Sequence, residues 1–475
     1  MADAGIERIR DELYWGTVQS KVGQYACPSA YNTYMADLNR ANISPLIILD
    51  YGNTLYQETP TAENDDGEFP TSSVAIQAFV NYALATLKQY PQIHAVEVWN
   101  EANVWNGAIG GVSPQAYLAL LKAVYTAIKA TNPNVTVVGG AVAGYDTSWI
   151  HSLFELGGLK YMDVLSIHPY RNPSPPEGLG TQMTALEQMI RSYNDGHAKP
   201  VWITEIGWPT QIGSTGVSPL TEAQYLVQSA VIALSAGVQR FSWYDFMNDG
   251  LNRSYDLDNF GIIHNAVAAN GPYAPKPAYN AYATLMSTMK YVGPEQMVLD
   301  ATPVPGGSTD QTQDIRGYRF METPNAGRKE PKSLTVLWST GSRVNVELTT
   351  PRPVTVTGIM GNARQLYPWY GHIYLTLTGS QIYVSGMIGP LTVGGPFALT
   401  GPQTAAAGST MPIILSAATS HGPIRATFTM NGKSYTVAAV SVRGRGFGRT
   451  AVPIAIQSMI SLEAVPNVVS VARLP

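Results

Sequence analysis

The sequence predicts an α/β protein: a (β/α)8 TIM barrel whose first strand is missing from this chain, followed by two β-sandwich domains. Three observations carry this reading. Seven short β-rich runs alternate with longer amphipathic stretches as far as residue 290, after which the runs become short, alternating and divided by turn residues. A Gly/Pro/Ser-rich join, 386-GMIGPLTVGGPFALTGPQTAAAGS-409, then separates those later runs into two groups. The domains are accordingly expected at 1–290, 291–387 and 388–475.

The seven runs are IERIRDEL, SPLIILDYG, HAVEVWNE, NVTVVGGA, MDVLSIHPY, KPVWITEIG and VQRFSWYDF. Between them lie helical patterns such as 73-SVAIQAFVNYALATLKQY-90 and 114-PQAYLALLKAVYTAIKAT-131, the second with Ser113 as N-cap and Pro114 at the first helical position. Strand and helix alternating this regularly imply a parallel sheet, and at this length a barrel is favoured over an open sheet. No Gly-rich phosphate fingerprint opens any helix, which weakens the dinucleotide-binding alternative. A barrel needs eight strands. The absent one is the first, because residues 1 to 5 read as the end of a helix leading into IERIR; either the chain is truncated there or another element fills the gap. A last helix is expected over 277-PAYNAYATLMSTMK-290. From 296 to about 387, YRFME, SLTVLWS, NVELTT, VTVTGIMG and IYLTLTG read as an antiparallel sandwich, and PIILSAA, IRATFTM, KSYTVAAV, TAVPIAI and NVVSVARLP as a small immunoglobulin-like one. That last domain reads as a structural appendage, and its basic segment 442-VRGRGFGR-449 as a solvated loop.

Composition removes several classes of function. With 13% charged against 45% hydrophobic residues, the 475-residue chain is globular and core-rich. A net charge of −4 without a Lys/Arg block argues against nucleic acid. No apolar stretch reaches the length of a membrane span, and MADAGIERIR lacks a signal peptide's apolar region. Secretion or delivery to the periplasm is expected, with the signal peptide not present in this chain. The lone Cys27 excludes an internal disulfide framework and reads as a small buried apolar group. The seven histidines, at 94, 151, 168, 197, 264, 372 and 421, form no HxH or HExxH pair, so no metal and no other cofactor is expected. There is no GxSxG turn for serine chemistry. The acidic loop 63-ENDDGEF-69 and the segment 248-NDGLNRSYDLDN-259 lack EF-hand spacing and read as solvated loops.

In a parallel barrel the functional groups lie where strands end and βα loops begin. Those positions hold Arg10 and Glu12, Asp50 and Tyr51, Asn100 and Glu101, His168 and Tyr170, Glu205, and Trp243 with Asp245. Glu101 after VEVW and Glu205 after VWIT are carboxylates closing strongly apolar strands, on strands that face each other across the mouth. Hydrolysis of a glycosidic bond needs two such groups, one protonated to release the leaving group and one ionised to attack the anomeric carbon. A lone Glu at a strand end is more often a solvated or salt-bridged group; the pair and its neighbours carry the reading. The 27 tyrosines and 9 tryptophans include many beside turn residues, where flat faces suit sugar rings.

The segments 96-VEVWNEANVWNG-107, 161-YMDVLSIHPY-170, 201-VWITEIGWPT-210 and 238-VQRFSWYDF-246 resemble retaining glycoside hydrolases of clan A, most closely family 39 and related bacterial exopolysaccharide glycosidases, over roughly residues 1 to 390. The resemblance implies Glu101 as acid/base and Glu205 as nucleophile. It implies Asn100 at the sugar 2-hydroxyl, Arg10 holding the nucleophile ionised, His168 and Tyr170 near the nucleophile, and Trp243 flooring the sugar site. Tyr51 and Trp208 complete the expected substrate-binding set, and Trp105 is a further stacking candidate. Relatives read Asn-Glu-Pro where this chain has Asn-Glu-Ala, so Ala102 removes a fixed φ and implies a looser turn. Arg10, permanently charged, would lower the pKa of a nearby Glu205. Glu101 has no cationic partner in its own segment, and apolar neighbours such as Trp99 or Trp105 would favour its neutral form. The expected activity is double-displacement cleavage of an equatorial, β-type bond in an oligo- or polysaccharide. The alternatives are a carbohydrate-binding protein on a degenerate barrel and a transglycosidase using the same residues.

Overall fold

The computed structural model describes residues 1–57, 68–104, 111–269 and 271–290, then 292–294, 301–303, 309–322, 333–341, 343–368 and 371–393, together with strand backbones between 397 and 473. The chain forms two compact units, Met1–Glu295 with Ile359–Asn362, and Gln296–Gly358 with Ala363–Pro475.

All seven apolar runs are strands: β1 (Arg8–Glu12), β2 (Ser44–Leu49), β3 (Ala95–Val98), β4 (Thr136–Ala143), β5 (Val164–His168), β6 (Val201–Ile203) and β7 (Arg240–Phe241). They pair in parallel, in sequence order, as one seven-stranded sheet of the barrel type. The helices that follow or join them are α1 (Trp15–Val18), α2 (Ser29–Arg40), α3 (Ser73–Gln89), α4 (Pro114–Thr131), α5 (Thr147–Glu155), α6 (Leu179–Tyr193), α7 (Pro219–Ser235) and α8 (Pro277–Met289). Helix starts follow their capping residues: Ser72, Ser113 and Ser218 each accept the backbone N–H three residues on, and Pro114 and Pro219 open α4 and α7. Leu46, Ala95, Val138, Val164 and Trp202, one from each of β2 to β6, pack as a single layer. Each such burial contributes about 1.5–3 kcal/mol for the larger side chains. The Arg240 guanidinium lies 3.7 Å over the Trp202 ring.

Among the described residues β1 and β7 are the outer strands of this sheet, and the segment before β1 packs on α8. The turn Ala2–Ala4 packs on α8, Ala4 and Ile6 are buried, and Lys290 pairs with Glu7 at 2.7 Å. Gly5, at φ 75, approaches Met286 so closely that a Cβ there would lie 3.1 Å from the methionine Cβ. The expected helix end at residues 1–5 is thus a single 3-10 turn.

In the second unit, two sheets share one apolar core. One orders Ala363–Leu366, Val354–Gly358, Ile382–Ser385, Ser333–Ser339 and Ile315–Glu322; the other orders His372–Leu377, Val344–Thr349, Leu391–Val393 and Ala301–Pro303. Leu337, Val356 and Val384 from the first meet Val346, Leu348, Ile373 and Leu375 from the second. One pairing differs from the antiparallel expectation: Ala301–Pro303 runs parallel to Leu391–Val393. The later runs are strands as well, with Thr410–Ala417 between Phe397–Thr400 and Gly448–Ala455, and Ile424–Met430 between Lys433–Ala439 and Asn467–Arg473. Residues 442–447 of the basic segment lie outside the described residues, as do 63–67 of the acidic loop and Trp105. No helix among the described residues is long and apolar enough to cross a membrane.

Candidate active site

The C-terminal ends of the strands gather the expected residues around one buried guanidinium. Arg10 projects from β1 and gives Nε–H to Glu97 Oε2 at 2.5 Å, Nη2–H to Asn100 Oδ1 at 2.8 Å and Nη1–H to Glu205 Oε1. Burial disfavours its charge, but Glu97 and Glu205 outweigh that and hold it protonated. Its three bonds all run to protein side chains, so Arg10 orients Glu97, Asn100 and Glu205. Asn100 passes the order outward, its Nδ2–H donating to the Tyr51 hydroxyl at 3.0 Å.

Glu205 follows β6. Its Oε2 accepts the Tyr170 hydroxyl at 2.9 Å, and His168 Nδ1 stands 3.7 Å away. Burial alone would raise its pKa. The charges of His168 and Arg10 and the hydrogen bonds from Tyr170 and Arg10 overcome it and leave the carboxyl below its ordinary value. Both contacts expected of Glu205, from Arg10 and from Tyr170, are therefore present.

Glu101 sits in a turn of left-handed backbone, with φ 68 at Trp99 and φ 51 at Glu101 itself. The turn is fixed at both ends: the Glu101 N–H donates to Ala141 O at 2.9 Å, and Val112 N–H donates to the carbonyl of the buried Ala102 at 2.6 Å. Ala102 in place of proline leaves a tied turn, contrary to the looser one expected. Trp99 beneath it is wholly buried against Phe69 and Tyr51. The partner of Glu101 comes from another strand: His168 Nδ1 lies 2.8 Å from Glu101 Oε1. His168 thus lies nearer the expected acid/base than the nucleophile beside which it was placed.

Two buried residues of this centre escaped the reading of strand tips. Glu97, fully buried inside β3, accepts the Thr204 hydroxyl on Oε1 at 2.9 Å, and Thr204 Oγ1 contacts His168 Nε2 at 3.0 Å. The signal for Glu97 was a carboxylate between two valines of a strand buried on both faces, where a charge has to be paired.

The aromatic wall is layered. Trp208 is fully buried, gives its indole N–H to Ser174 O at 2.9 Å and stacks on Trp243 at 5.8 Å. Having no free face, it backs Trp243 and does not itself present a sugar platform, a correction to its expected role; Trp243 is partly exposed. Beside it Asp245 is pushed up to about 7 by burial and by Asp249. In the following segment Asp258 Oδ2 accepts Asn252 N–H at 2.7 Å, and Asn259 Nδ2 donates to Asn252 O and Tyr255 O, so these groups brace the loop from within. Glu101, His168 and Glu205 each bring one ligand-type atom within 4.8 Å of the others. Glu205 accepts one hydrogen bond on each oxygen, from Arg10 and from Tyr170.

Residues 53–260 match the family model described as glycosyl hydrolase catalytic core. Among solved structures, a family 39 glycoside hydrolase from Bacteroides cellulosilyticus matches with TM-score 0.65 and 24% identity over 81% of this chain and 76% of that one. A monomeric β-xylosidase from Caulobacter crescentus matches with TM-score 0.54 and 15% identity over 82% and 90%. A GH30 endoxylanase from Clostridium papyrosolvens matches with TM-score 0.54 and 14% identity over 81% and 90%. At these identities the structures share the fold. No curated protein matches the chain by sequence. The segment that matches the glycosyl hydrolase catalytic core, residues 53–260, contains both candidate carboxylates, Glu101 and Glu205.

Proposed function

From a glycoside hydrolase core as premise, we propose that this chain is a retaining β-glycosidase in which Glu205 attacks the anomeric carbon and Glu101 protonates the departing oxygen. The observation that carries the reading is separation. An oxygen of Glu101 and an oxygen of Glu205 lie within 4.8 Å, well short of the roughly 6.5–9.5 Å that leaves room for water in an inverting site. Arg10 and Tyr170 keep Glu205 ionised for attack. A glycosyl-enzyme forms on Glu205, and Glu101 then takes a proton from the water that releases the sugar. Asn100 and Tyr51 border the sugar's hydroxyls and Trp243 floors its ring. The substrate class is a β-linked oligo- or polysaccharide.

Chemical rescue tests the two roles. After Glu101→Ala the glycosyl-enzyme still forms from an activated aryl β-glycoside, and azide, needing no base, restores turnover and gives the β-glycosyl azide. After Glu205→Ala the same anion attacks directly and gives the α-azide. The opposite pattern of anomers would exchange the roles, and no rescue in either variant would remove the double displacement.

A further inference from the structure

We infer that the N-terminal face of the barrel sheet, opposite the candidate carboxylates, carries a second binding site, for a chain of neutral sugars, built on two twin turns. The inference takes its ligand class from the glycosidase reading above and nothing from the separate roles of Glu101 and Glu205. It begins with a repeat in the sequence. α3 joins β3 through 90-YPQI-93, and α4 joins the adjacent β4 through 132-NPNV-135. Each connection puts proline second and a carboxamide third, and each closes with a backbone bond from its fourth residue to its first. These are Ile93 N–H to Tyr90 O and Val135 N–H to Asn132 O, both at 3.0 Å. The first residues share a backbone conformation, φ −125 and ψ 78 at Tyr90 and φ −134 and ψ 67 at Asn132, outside the helical region that a following proline disfavours. Because β3 and β4 pair in parallel with Ala95 opposite Thr136, the two turns stand side by side and carry Gln92 and Asn134 at matching positions.

Hollows lie on both sides of the first turn. One of about 520 Å3 separates it from α2 and one of about 320 Å3 from the second turn, with Pro91 bordering both. Six carboxamides line the two, Asn32, Asn39, Gln89, Gln92, Asn132 and Asn134, and among the described residues no Asp, Glu, Lys or Arg does. That lining selects the ligand. Phosphates, nucleic acids and charged peptides would meet no counter-charge, and an apolar ligand would strip water from the amides without replacing its hydrogen bonds. Sugar hydroxyls each donate and accept, as carboxamides do. Charges nearby are committed elsewhere: Asp37 pairs with Arg40 at 3.0 Å, and Lys129 gives its hydrogens to Asp163 and to the Pro133 and Val135 carbonyls. Asn32 Oδ1 accepts from Tyr90 OH at 2.9 Å and from Gln89 Nε2 at 3.3 Å, which fills its two lone pairs and leaves the Asn32 amide hydrogens and Gln89 Oε1 to a ligand.

His94, in the smaller hollow, stands seven residues before Glu101, which along an extended chain is on the order of 20 Å. One sugar cannot touch both places. The groove therefore tethers a polymer and raises its concentration near the mouth, while turnover of small substrates is untouched.

The test runs the full chain in native gels containing mixed-linkage β-glucan, arabinoxylan or glucomannan, with polygalacturonate as the charged control. At least one neutral polymer retards the parent, and added salt leaves the retardation in place. Gln92→Ala/Asn134→Ala weakens the apparent Kd for that polymer by about tenfold, as loss of two neutral hydrogen bonds implies, and raises KM on it, while kcat/KM for an aryl β-glycoside is unchanged. Ala36→Trp, which fills the larger hollow from α2 and removes no amide, has the same effect. Equal retardation of the parent and both variants overturns the inference, as does a parent retarded by no neutral polymer or by polygalacturonate alone. A parent inert toward aryl β-glycosides, whose retardation still depends on Gln92 and Asn134, would sink the glycosidase reading and leave this site standing.

Discussion

Replacing Arg10 by Met removes the cation between two carboxylates while preserving much of the side chain's length. Arg10 and Glu97 expose 8% and 0% of their side chains and Glu205 13%, so neither partner can turn to bulk water instead. Breaking a buried pair in this way costs about 3–5 kcal/mol. A loss near 3 kcal/mol felt by ionised Glu205 corresponds to about two pH units. Glu205 sits below its ordinary value in the intact site, so it stabilises the fold above the usual carboxylate pKa, and that contribution is lost as pH falls through its lowered value. In Arg10→Met this contribution disappears and the carboxyl protonates in a range where the parent is ionised. The acid limb of kcat/KM for an activated aryl glycoside accordingly rises by about two units, and urea unfolding at neutral pH shows a stability loss of about 3–5 kcal/mol. An acid limb in its original place, in a variant of unchanged fold, would refute the claim that Arg10 keeps the nucleophile ionised.

Smaller perturbations follow the same logic. Tyr170→Phe deletes one of the hydrogen bonds that lower Glu205, so the acid limb shifts up by about one unit or less, read from the same profiles with stability nearly unchanged. Away from the chemistry, Lys276 gives its Nζ hydrogens to Glu222 at 2.9 Å, Asn259 O at 2.9 Å and Thr210 Oγ1 at 3.1 Å, tying together two loops that flank Trp243. Lys276→Met, which leaves the buried Glu222 and the Asn259 carbonyl without this donor, lowers stability by about 1–3 kcal/mol in chemical denaturation, and a neutral result would show the tie to be dispensable. Burial pushes Glu222 up to about 8 despite Lys276. Its raised value means that the favourable contribution of its protonated form fades as pH climbs through about 8, so midpoints measured at pH 7 and 9 fall more in the parent than in Glu222→Gln.

Much of the barrel was legible because strands buried on both faces read as uninterrupted apolar runs, and because Ser-Pro pairs announce helix starts. The candidate carboxylates were legible for a related reason: a charge that ends an apolar strand stands out. What sequence did not convey was contact between distant strands. Glu101 looked partnerless because His168 is 67 positions away, and Thr204 looked like ordinary strand filling although it joins Glu97 to His168. Trp208 and Trp243 are equally prominent as letters, and only packing decides which has a free face. The parallel strand Ala301–Pro303 is too short to announce itself by alternation.

The buried guanidinium also bears on the mechanics of the site. Arg10 leaves β1 and reaches Glu97 within β3, Asn100 beyond it and Glu205 beyond β6, so one side chain ties together strands that do not pair with one another. The guanidinium is therefore a strut as well as a counter-charge. A variant that disturbs the ion pair also frees the strand ends that carry Asn100 and Glu205, so charge and spacing change together at one point.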